Sequence, residues 1–169
     1  MGKHWFVIYT RSRKEHITAR FLDDQGVEYY LPLQKKLRYW KDRKKWIDTP
    51  LIPSYIFVRI GDDKEYLSVL KTEGVVCFVT FEGKAAIVPD KQIEDLRLLL
   101  ASDKELEVTS QTFEHGDDIQ VKAGPLKGLE GMLVYYKNKH KVRVQIEHIG
   151  QSLLVEIDPK YLVKRDKPV

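Results

Sequence analysis

The first hundred residues alternate between short apolar runs and amphipathic stretches, which predicts strands interleaved with helices. "HWFVIYT" is rich in β-branched and aromatic residues and predicts the first strand. Helices are predicted in "SRKEHITARFLDDQG", where Ser12 and Glu15 have capping-box spacing, in "DDKEYLSVLKTEG", where Asp62 and Glu65 have the same spacing, and in "PDKQIEDLRLLLAS". The resulting order, β-α-β-β-α-β-β-α, predicts an α+β domain over residues 1–100, with a mainly antiparallel four-stranded sheet and flanking helices.

The hydrophobic pattern changes after residue 100. Residues 101–115, "ASDKELEVTSQTFEH", are polar without sustained periodicity and predict a linker. Residues 116–169 contain only short strand-like runs separated by turn residues. A small closed barrel is favoured there, because an open sheet of this length would leave costly edges.

Two strand-like segments, "VEYYLPLQKKLRY" and "KWIDTPLIPSYIFVRI", predict the arms of one hairpin with a basic tip. The whole chain has a net charge of only +4, so the position of the charge matters more than its amount. Aromatic side chains among the cations suit contact with a nucleic-acid backbone and stacking on bases. The alternative is an ordinary solvated hairpin tip. The candidate nucleic-acid residues in this segment are Lys35, Lys36, Arg38, Tyr39, Trp40, Lys41, Arg43, Lys44 and Lys45.

Composition excludes several classes of protein. Hydrophobic content of 43% and charged content of 32% are those of a folded globular chain. No apolar run approaches the ~20 residues of a membrane helix, and the amino terminus leads directly into a strand, so neither a membrane partner nor a signal peptide is expected. Cys77 is the only cysteine, which is typical of a reducing cytoplasm.

No motif for catalysis or cofactor binding is present. The chain has no P-loop and no GxSxG sequence, and its five histidines lack zinc-ligand spacing. Cys77 lies in an apolar strand rather than in a setting that would activate a thiol. An enzyme is therefore not expected, and no cofactor or metal is predicted.

Four segments together carry a resemblance to a known family. "GDDIQVKAGPLKGLEGMLVYY" resembles a KOW motif, the core of an SH3-like barrel, whose tight turns suit Gly116, Gly124, Pro125, Gly128 and Gly131. "WFVIYTRSRKEHITARFLDDQGV", "LIPSYIFV" and "GVVCFVTFEGKAAIVPDKQIEDL" follow, in order, the amino-terminal domain of the NusG/RfaH family of bacterial transcription elongation factors. The resemblance covers nearly the whole chain.

This resemblance implies that an apolar surface of the amino-terminal domain binds the clamp helices of the largest RNA polymerase subunit. The matching positions are Tyr9, Ile52, Pro53, Tyr55, Phe57, Ile93 and Leu96. Pro50 and Pro53 stiffen the entrance to the strand that begins near Tyr55, which suits an aromatic anchor at an interface. The alternatives are that Phe57 belongs to the core and that the Ile93–Leu96 stripe partly serves packing.

The resemblance also places the basic hairpin near upstream duplex DNA. Arg11 and Arg13 would face the non-template strand, although charge at a helix start explains them equally well. RfaH-type members contact the polymerase gate loop with a His-Thr-Thr run, where this chain has "EYLSVLK". A gate-loop contact is therefore in doubt, or made by residues such as Ser68 and Lys71.

Two roles within the family remain open. General NusG proteins recruit Rho or a ribosomal protein through the KOW barrel. Specialised paralogues of the UpxY type suppress termination in capsule-polysaccharide operons, and the compact length and lysine-rich hairpin favour this role. A ribosome-associated KOW protein that binds RNA is a remoter alternative. The resemblance implies a cytoplasmic monomer, and the glycines and Pro125 predict a KOW segment that stays β rather than helical and leaves the polymerase surface uncovered.

Overall fold

The structure, a computed structural model, describes residues 2–113 and 116–165 and divides into two compact units, Met1–Asp90 and Lys91–Val169. The elements of the first unit are β1 (His4–Thr10), α1 (Glu15–Asp24), β2 (Glu28–Tyr30), β3 (Leu33–Tyr39), β4 (Lys44–Pro50), β5 (Tyr55–Ile60), α2 (Asp63–Leu70), β6 (Val75–Phe78), β7 (Thr80–Phe81), β8 (Lys84–Ala85) and β9 (Ile87–Val88). The remaining elements are α3 (Asp90–Ala101), β10 (Leu106–Thr109), β11 (Asp117–Val121), β12 (Glu130–Tyr136), β13 (Lys139–Ile146), β14 (Gln151–Val155), a 3₁₀ turn (Pro159–Tyr161) and β15 (Leu162–Lys164).

An antiparallel sheet organises the first unit. Its order is β2-β5-β1-β6, and the short β9 also pairs with β1, so it has five strands rather than the four predicted. Side chains from one face of β1 and β5 pack with residues of α1 and α2, as their period-two and period-3.6 patterns require. This core contains Ile8, Ala19, Leu22, Val27, Leu31, Ile56, Val58, Ile60, Val69 and Phe78.

The single long hairpin expected between residues 27 and 60 is divided into two pairings. β2 pairs with β5 in the main sheet, whereas β3 and β4 form a separate two-stranded sheet. Proline cannot donate a ladder hydrogen bond, and Pro32 and Pro53 stand where the ladder is interrupted. At this break the Leu51 N–H donates to the Pro32 carbonyl at 2.9 Å.

One predicted helix cap is wrong and another is confirmed. Helix α1 is preceded by Lys14 as its cap residue, without a side-chain hydrogen bond, so Ser12 does not cap it. Helix α2 begins as expected, because Asp62 Oδ1 accepts from the Glu65 N–H at 2.8 Å. Helix α1 begins at Glu15, whose carboxylate makes a long-range contact described below.

The second unit is built on a six-stranded antiparallel sheet with the order β10-β14-β13-β12-β11-β15. In the described part of the chain, the end strands β10 and β15 do not pair with each other, so strand pairing does not form the closed ring predicted from the sequence.

The division into units also differs from the predicted boundaries. Helix α3 belongs almost entirely to the second unit, so the division falls after Asp90 and not near residue 100. The segment predicted as a linker, 101–115, contains β10, which pairs with β14. Residues 114 and 115 of that segment lie outside the described part of the chain.

Candidate functional site

The proline-aromatic segment, Ile52–Tyr55, connects β4 to β5 in the first unit. Pro53 is exposed and Tyr55 is half-buried, while Ile52 is buried. Tyr55 is the register partner of Tyr9 on β1, and their ring centroids lie 5.5 Å apart at an interplanar angle of 61°. Because Tyr9 is 40% exposed, this edge-to-face pair presents aromatic surface to solvent.

Two hydrogen bonds fix the residue that precedes Tyr55. The Ser54 N–H donates to Glu15 Oε1 at 3.0 Å, and the Ser54 carbonyl accepts from the Thr10 N–H at 2.8 Å. Ser54 has a φ of 71°, a left-handed conformation that costs a non-glycine residue free energy. The buried carboxylate of Glu15 and the end of β1 therefore hold the backbone in the orientation from which Tyr55 emerges.

Four of the seven candidate polymerase contacts are buried, namely Ile52, Phe57, Ile93 and Leu96. Phe57 points to the same side of β5 as Tyr55, because side chains two residues apart share a face. Its ring stacks with Tyr30 at a centroid distance of 6.3 Å. In this structure the residues available to a partner are therefore Tyr9, Pro53 and Tyr55.

The second surface is the basic hairpin, β3–β4, whose register runs from Leu33 opposite Pro50 to Tyr39 opposite Lys44. All nine candidate nucleic-acid residues on it are exposed. In the turn, the Trp40 N–H donates to the Arg43 carbonyl at 2.7 Å, and the Arg43 guanidinium lies 5.4 Å from the centre of the Trp40 ring. The segment has seven basic and two acidic side chains, whereas the whole chain has a net charge of only +4.

The hairpin cations differ from the lysines of the second unit in their partners. Within residues 2–113 and 116–165, none of the seven has a carboxylate within 4.0 Å. By contrast, Lys137 and Lys141 share Glu107, at 2.9 and 3.5 Å, and Lys139 lies 3.8 Å from Glu156. Positive potential is therefore left uncompensated on the β3–β4 hairpin.

Trp46 is a candidate residue that the sequence analysis missed. It is 64% exposed and lies opposite Leu37 in the hairpin. It stands directly beyond the basic cluster, in a segment predicted only as a strand arm. The strand register places Trp46 on the same side of the hairpin as Tyr39. Residue spacing and charge along the sequence do not show this.

The remaining candidates of the first unit lie in the loop after β1 and on α2. Arg11 and Arg13 are exposed, Arg13 has a φ of 64°, and the Arg11 N–H donates to the Gly74 carbonyl at 2.8 Å. The Ser68 hydroxyl donates to Gln25 Oε1 at 2.6 Å. Ser68 is thus engaged within the unit, whereas Lys71 is exposed.

The glycines predicted to form turns lie around β11 and β12. Gly124, Pro125 and Gly128 are in the connection between these strands, and the Gly128 N–H donates to the Val121 carbonyl at 2.8 Å. Gly116 directly precedes β11. Gly131 is inside β12, where a Cβ atom would lie 2.7 Å from the Arg143 carbonyl oxygen, so only glycine fits without a shift.

The same turn contacts α3 within the second unit. Lys91 Nζ donates to the Gly128 carbonyl at 2.9 Å and to Asp95 Oδ1 at 2.7 Å. Burial raises the pKa of Asp95, and the hydrogen bond from Lys91 opposes this effect. Gln92 Oε1 accepts from the Glu147 N–H at 3.0 Å. These contacts explain why α3 belongs to the second unit.

No group of three or more His, Cys, Asp or Glu side chains among the described residues could hold a metal ion. None of the described helices is both long and apolar enough to cross a membrane. The two surfaces described above present exposed rings and cations, which are the groups of a protein that binds macromolecular partners.

Comparison with known proteins identifies the family. The family model described as transcription termination factor nusG matches residues 3–97, which is more than half of the chain. The chain is 25% identical to the transcription termination/antitermination protein NusG of Borreliella burgdorferi over 186 aligned positions, covering 97% of this chain and 100% of that protein. The chain therefore belongs to the NusG family, whose members are transcription factors that partner with RNA polymerase and are not enzymes.

One solved structure agrees on the fold. A structure that concerns domain interaction in Thermotoga maritima NusG matches with a TM-score of 0.56 and 23% identity, covering 97% of this chain and 98% of that one. A structure of an MjSpt4:Spt5 complex covers 97% of this chain and 99% of its own at 16% identity, but its TM-score of 0.29 is too low to bear on the fold.

Proposed function

We propose that this protein is an elongation and antitermination factor that binds the clamp helices of RNA polymerase and the adjacent DNA. The clamp helices would meet Tyr9, Pro53 and Tyr55. The β3–β4 hairpin, together with Arg11 and Arg13, would contact upstream duplex or non-template DNA. The factor would act in the cytoplasm and reduce pausing or termination in a subset of operons, among which we favour those for polysaccharide biosynthesis.

The observation that carries this proposal is the fixed aromatic pair of Tyr9 and Tyr55. Its rings lie 5.5 Å apart, and both backbone hydrogen-bonding groups of Ser54 are occupied, so little conformational entropy remains to be lost when a partner binds. Rigid aromatic residues that are partly exposed are typical interface hot spots. Ile52, Phe57, Ile93 and Leu96 are buried and would join the interface only after a rearrangement.

The hairpin supports the nucleic-acid part of the proposal. Its seven cations lack carboxylate partners among the described residues, so binding a phosphate would not require breaking an ion pair. Each phosphate neutralised by a lysine or arginine releases condensed counterions, which favours association. A solvated hairpin tip without a ligand would not account for seven cations in one short hairpin.

The direct test is co-purification with the tagged full-length protein. Recovery of core RNA polymerase would support the proposal. Recovery of a ribosomal subunit without polymerase would instead support the ribosome-associated alternative. Repeating the capture with Tyr55→Ala and with Lys71→Ala separates the clamp-helix surface from a gate-loop contact, because only Tyr55→Ala should reduce recovery.

A general NusG role is the second candidate, favoured by the full-length similarity to the Borreliella burgdorferi protein. In that role the KOW barrel proposed for the second unit would recruit Rho or a ribosomal protein. Sequencing of nascent RNA after deletion of the gene separates the two roles. Changes confined to a few operons support the specialised factor, whereas changes in most transcripts support the general one.

A further inference from the structure

Both aromatic side chains of strands β3 and β4, Tyr39 and Trp46, lie on one face of the hairpin. Residues paired across an antiparallel ladder project to the same side, and neighbours along a strand project to opposite sides. Leu37 pairs with Trp46, and Tyr39, two residues beyond Leu37, pairs with Lys44. Leu37, Tyr39 and Trp46 therefore share one side of the hairpin, which we call the aromatic face.

The opposite side has a different chemistry. Arg38 pairs with Lys45, and Lys36, two residues before Arg38, pairs with Ile47. Lys36, Arg38 and Lys45 therefore share the second side, which we call the cationic face. The sequence presents one mixed basic and aromatic cluster, and the register separates it into two surfaces.

The aromatic face is open to solvent. Tyr39 is 75% exposed and Trp46 is 64% exposed, and β3 and β4 form a two-stranded sheet of their own. Lys35 and Lys44 lie on the same side as the rings and are also exposed, as is Asp48, the register partner of Lys35, which is not within 4.0 Å of a cation among the described residues. Two large rings flanked by cations without carboxylate partners suit a ligand that has both flat apolar surfaces and negative charge.

We propose that the aromatic face stacks unpaired bases of a single nucleic-acid strand, whose phosphates are met by the neighbouring lysines. This inference rests on the proposed function and specifies the state of the nucleic acid at the hairpin. In a duplex the faces of the bases are already stacked on one another, so rings at the surface reach only the base edges and the backbone. Phosphates are accessible in both states, so the cations alone would not discriminate between them.

An apolar protein partner fits the same face less well. The cations beside the rings are not neutralised within the described chain, and burying them against an apolar surface would cost free energy. A single strand supplies the missing charges and the stacking surface together.

The experiment measures binding of the full-length protein to a fluorescein-labelled oligothymidine and to a mixed-sequence duplex of equal length, by anisotropy at low salt. Trp46→Leu and Tyr39→Leu keep an apolar side chain but remove the ring. Each should weaken binding of the single strand about tenfold and leave duplex binding within about twofold. Trp46→Phe should restore most of the single-strand affinity.

The matched control is the triple variant Lys36→Gln, Arg38→Gln and Lys45→Gln on the cationic face. It should weaken single-strand and duplex binding by similar factors. The proposal is overturned if Trp46→Leu leaves single-strand binding unchanged, or if it weakens both nucleic acids equally while Trp46→Phe does not rescue. Binding of isolated clamp helices should not change in any variant, so failure here is distinguishable from failure of the proposed polymerase contact.

Discussion

Glu15 accepts a hydrogen bond from the backbone N–H of Ser54, with 3.0 Å between Oε1 and the nitrogen. The two residues are 39 positions apart, and the carboxylate is almost completely buried at the start of α1. The contact joins the first helix to the segment that presents Tyr55. Glu15 therefore acts as a positioning residue for the proposed polymerase anchor.

Substitution of Glu15 should test this role. Glu15→Ala leaves the partly buried Ser54 N–H without this acceptor and should lower the free energy of unfolding by about 1 kcal/mol. Glu15→Gln retains an acceptor oxygen of the same reach and should lose less. Affinity for clamp helices should also fall more in Glu15→Ala than in Glu15→Gln. Titration with clamp helices measures the affinity, and denaturant unfolding measures the stability. Equal losses in both variants would show that the negative charge, and not the hydrogen bond, is what matters.

The same contact shows where local sequence patterns fail. Ser12 and Glu15 have capping-box spacing, yet the Glu15 carboxylate is directed to Ser54 and helix α1 begins without a side-chain cap. At Asp62 the predicted cap forms, although the Glu65 carboxylate also has a distant partner, Lys3, at 3.2 Å. Whether a long-range contact displaces a local cap depends on the fold, and the spacing of the residues alone does not reveal it.

Tyr55 and Phe57 should separate binding from folding. Tyr55→Ala should cost ~2 kcal/mol or more of affinity for clamp helices with a smaller loss of stability, because the ring is half-buried. Phe57→Ala, the matched control on the same face, should cost about 3–5 kcal/mol of stability, because Phe57 is fully buried. Thermal melts and titration with clamp helices measure the two effects. If Tyr55→Ala melted as early as Phe57→Ala, Tyr55 would be a core residue.

Burial decided between interpretations that the sequence left open. Phe57, Ile93 and Leu96 have the same apolar character in a core as at an interface, and only the fold shows them buried. The sequence predicted the strands and helices of the first unit well because their periodicity is local. It missed the division of the long hairpin and the place of α3, because both depend on pairings and contacts between distant residues.

The basic hairpin should control the salt dependence of DNA association. Replacing Lys41, Arg43, Lys44 and Lys45 with Gln should weaken binding to an elongation complex, because fewer DNA phosphates are neutralised and fewer counterions are released. The slope of log K against log salt should fall by roughly 0.7–0.9 for each phosphate that the variant no longer neutralises. Binding to free clamp helices should be unchanged.

A control variant with three replaced lysines comes from the second unit, and its effect is compared per charge removed. Lys137, Lys139 and Lys141 lie within 4.0 Å of Glu107 or Glu156, so their replacement with Gln should alter the salt slope much less. An unchanged salt slope in the hairpin variant would show that the hairpin tip does not contact nucleic acid.

Glu107 should give the second unit a pH-dependent contribution to stability. The hydrogen bond from Lys137 lowers the pKa of Glu107 below its ordinary value of 4.5, and hydrogen bonds from Tyr136 and Lys141 act in the same direction. A lowered pKa stabilises the folded state at pH values above the unfolded-state pKa. This contribution is lost as the pH falls through the folded-state pKa. Glu107→Gln should therefore melt a few degrees lower at pH 7. The two proteins should converge as the pH falls through the folded-state pKa of Glu107, and a constant difference at all pH values would contradict the assignment.

The strands of the second unit, β10 to β15, should remain strands both when the protein is free and when it is bound to polymerase. Gly128 has a φ of 95°, and its N–H donates to the Val121 carbonyl. Alanine can adopt this turn conformation only with strain of about 1–2 kcal/mol. In a helix the same substitution would be favourable by up to ~1 kcal/mol. Gly128→Ala would therefore shift a chain with an alternative helical state toward that state, whereas a chain committed to strands should only lose stability. We expect a lower melting temperature with no gain of helix in carbonyl chemical shifts, and helical shifts between residues 117 and 146 would refute a permanent β fold.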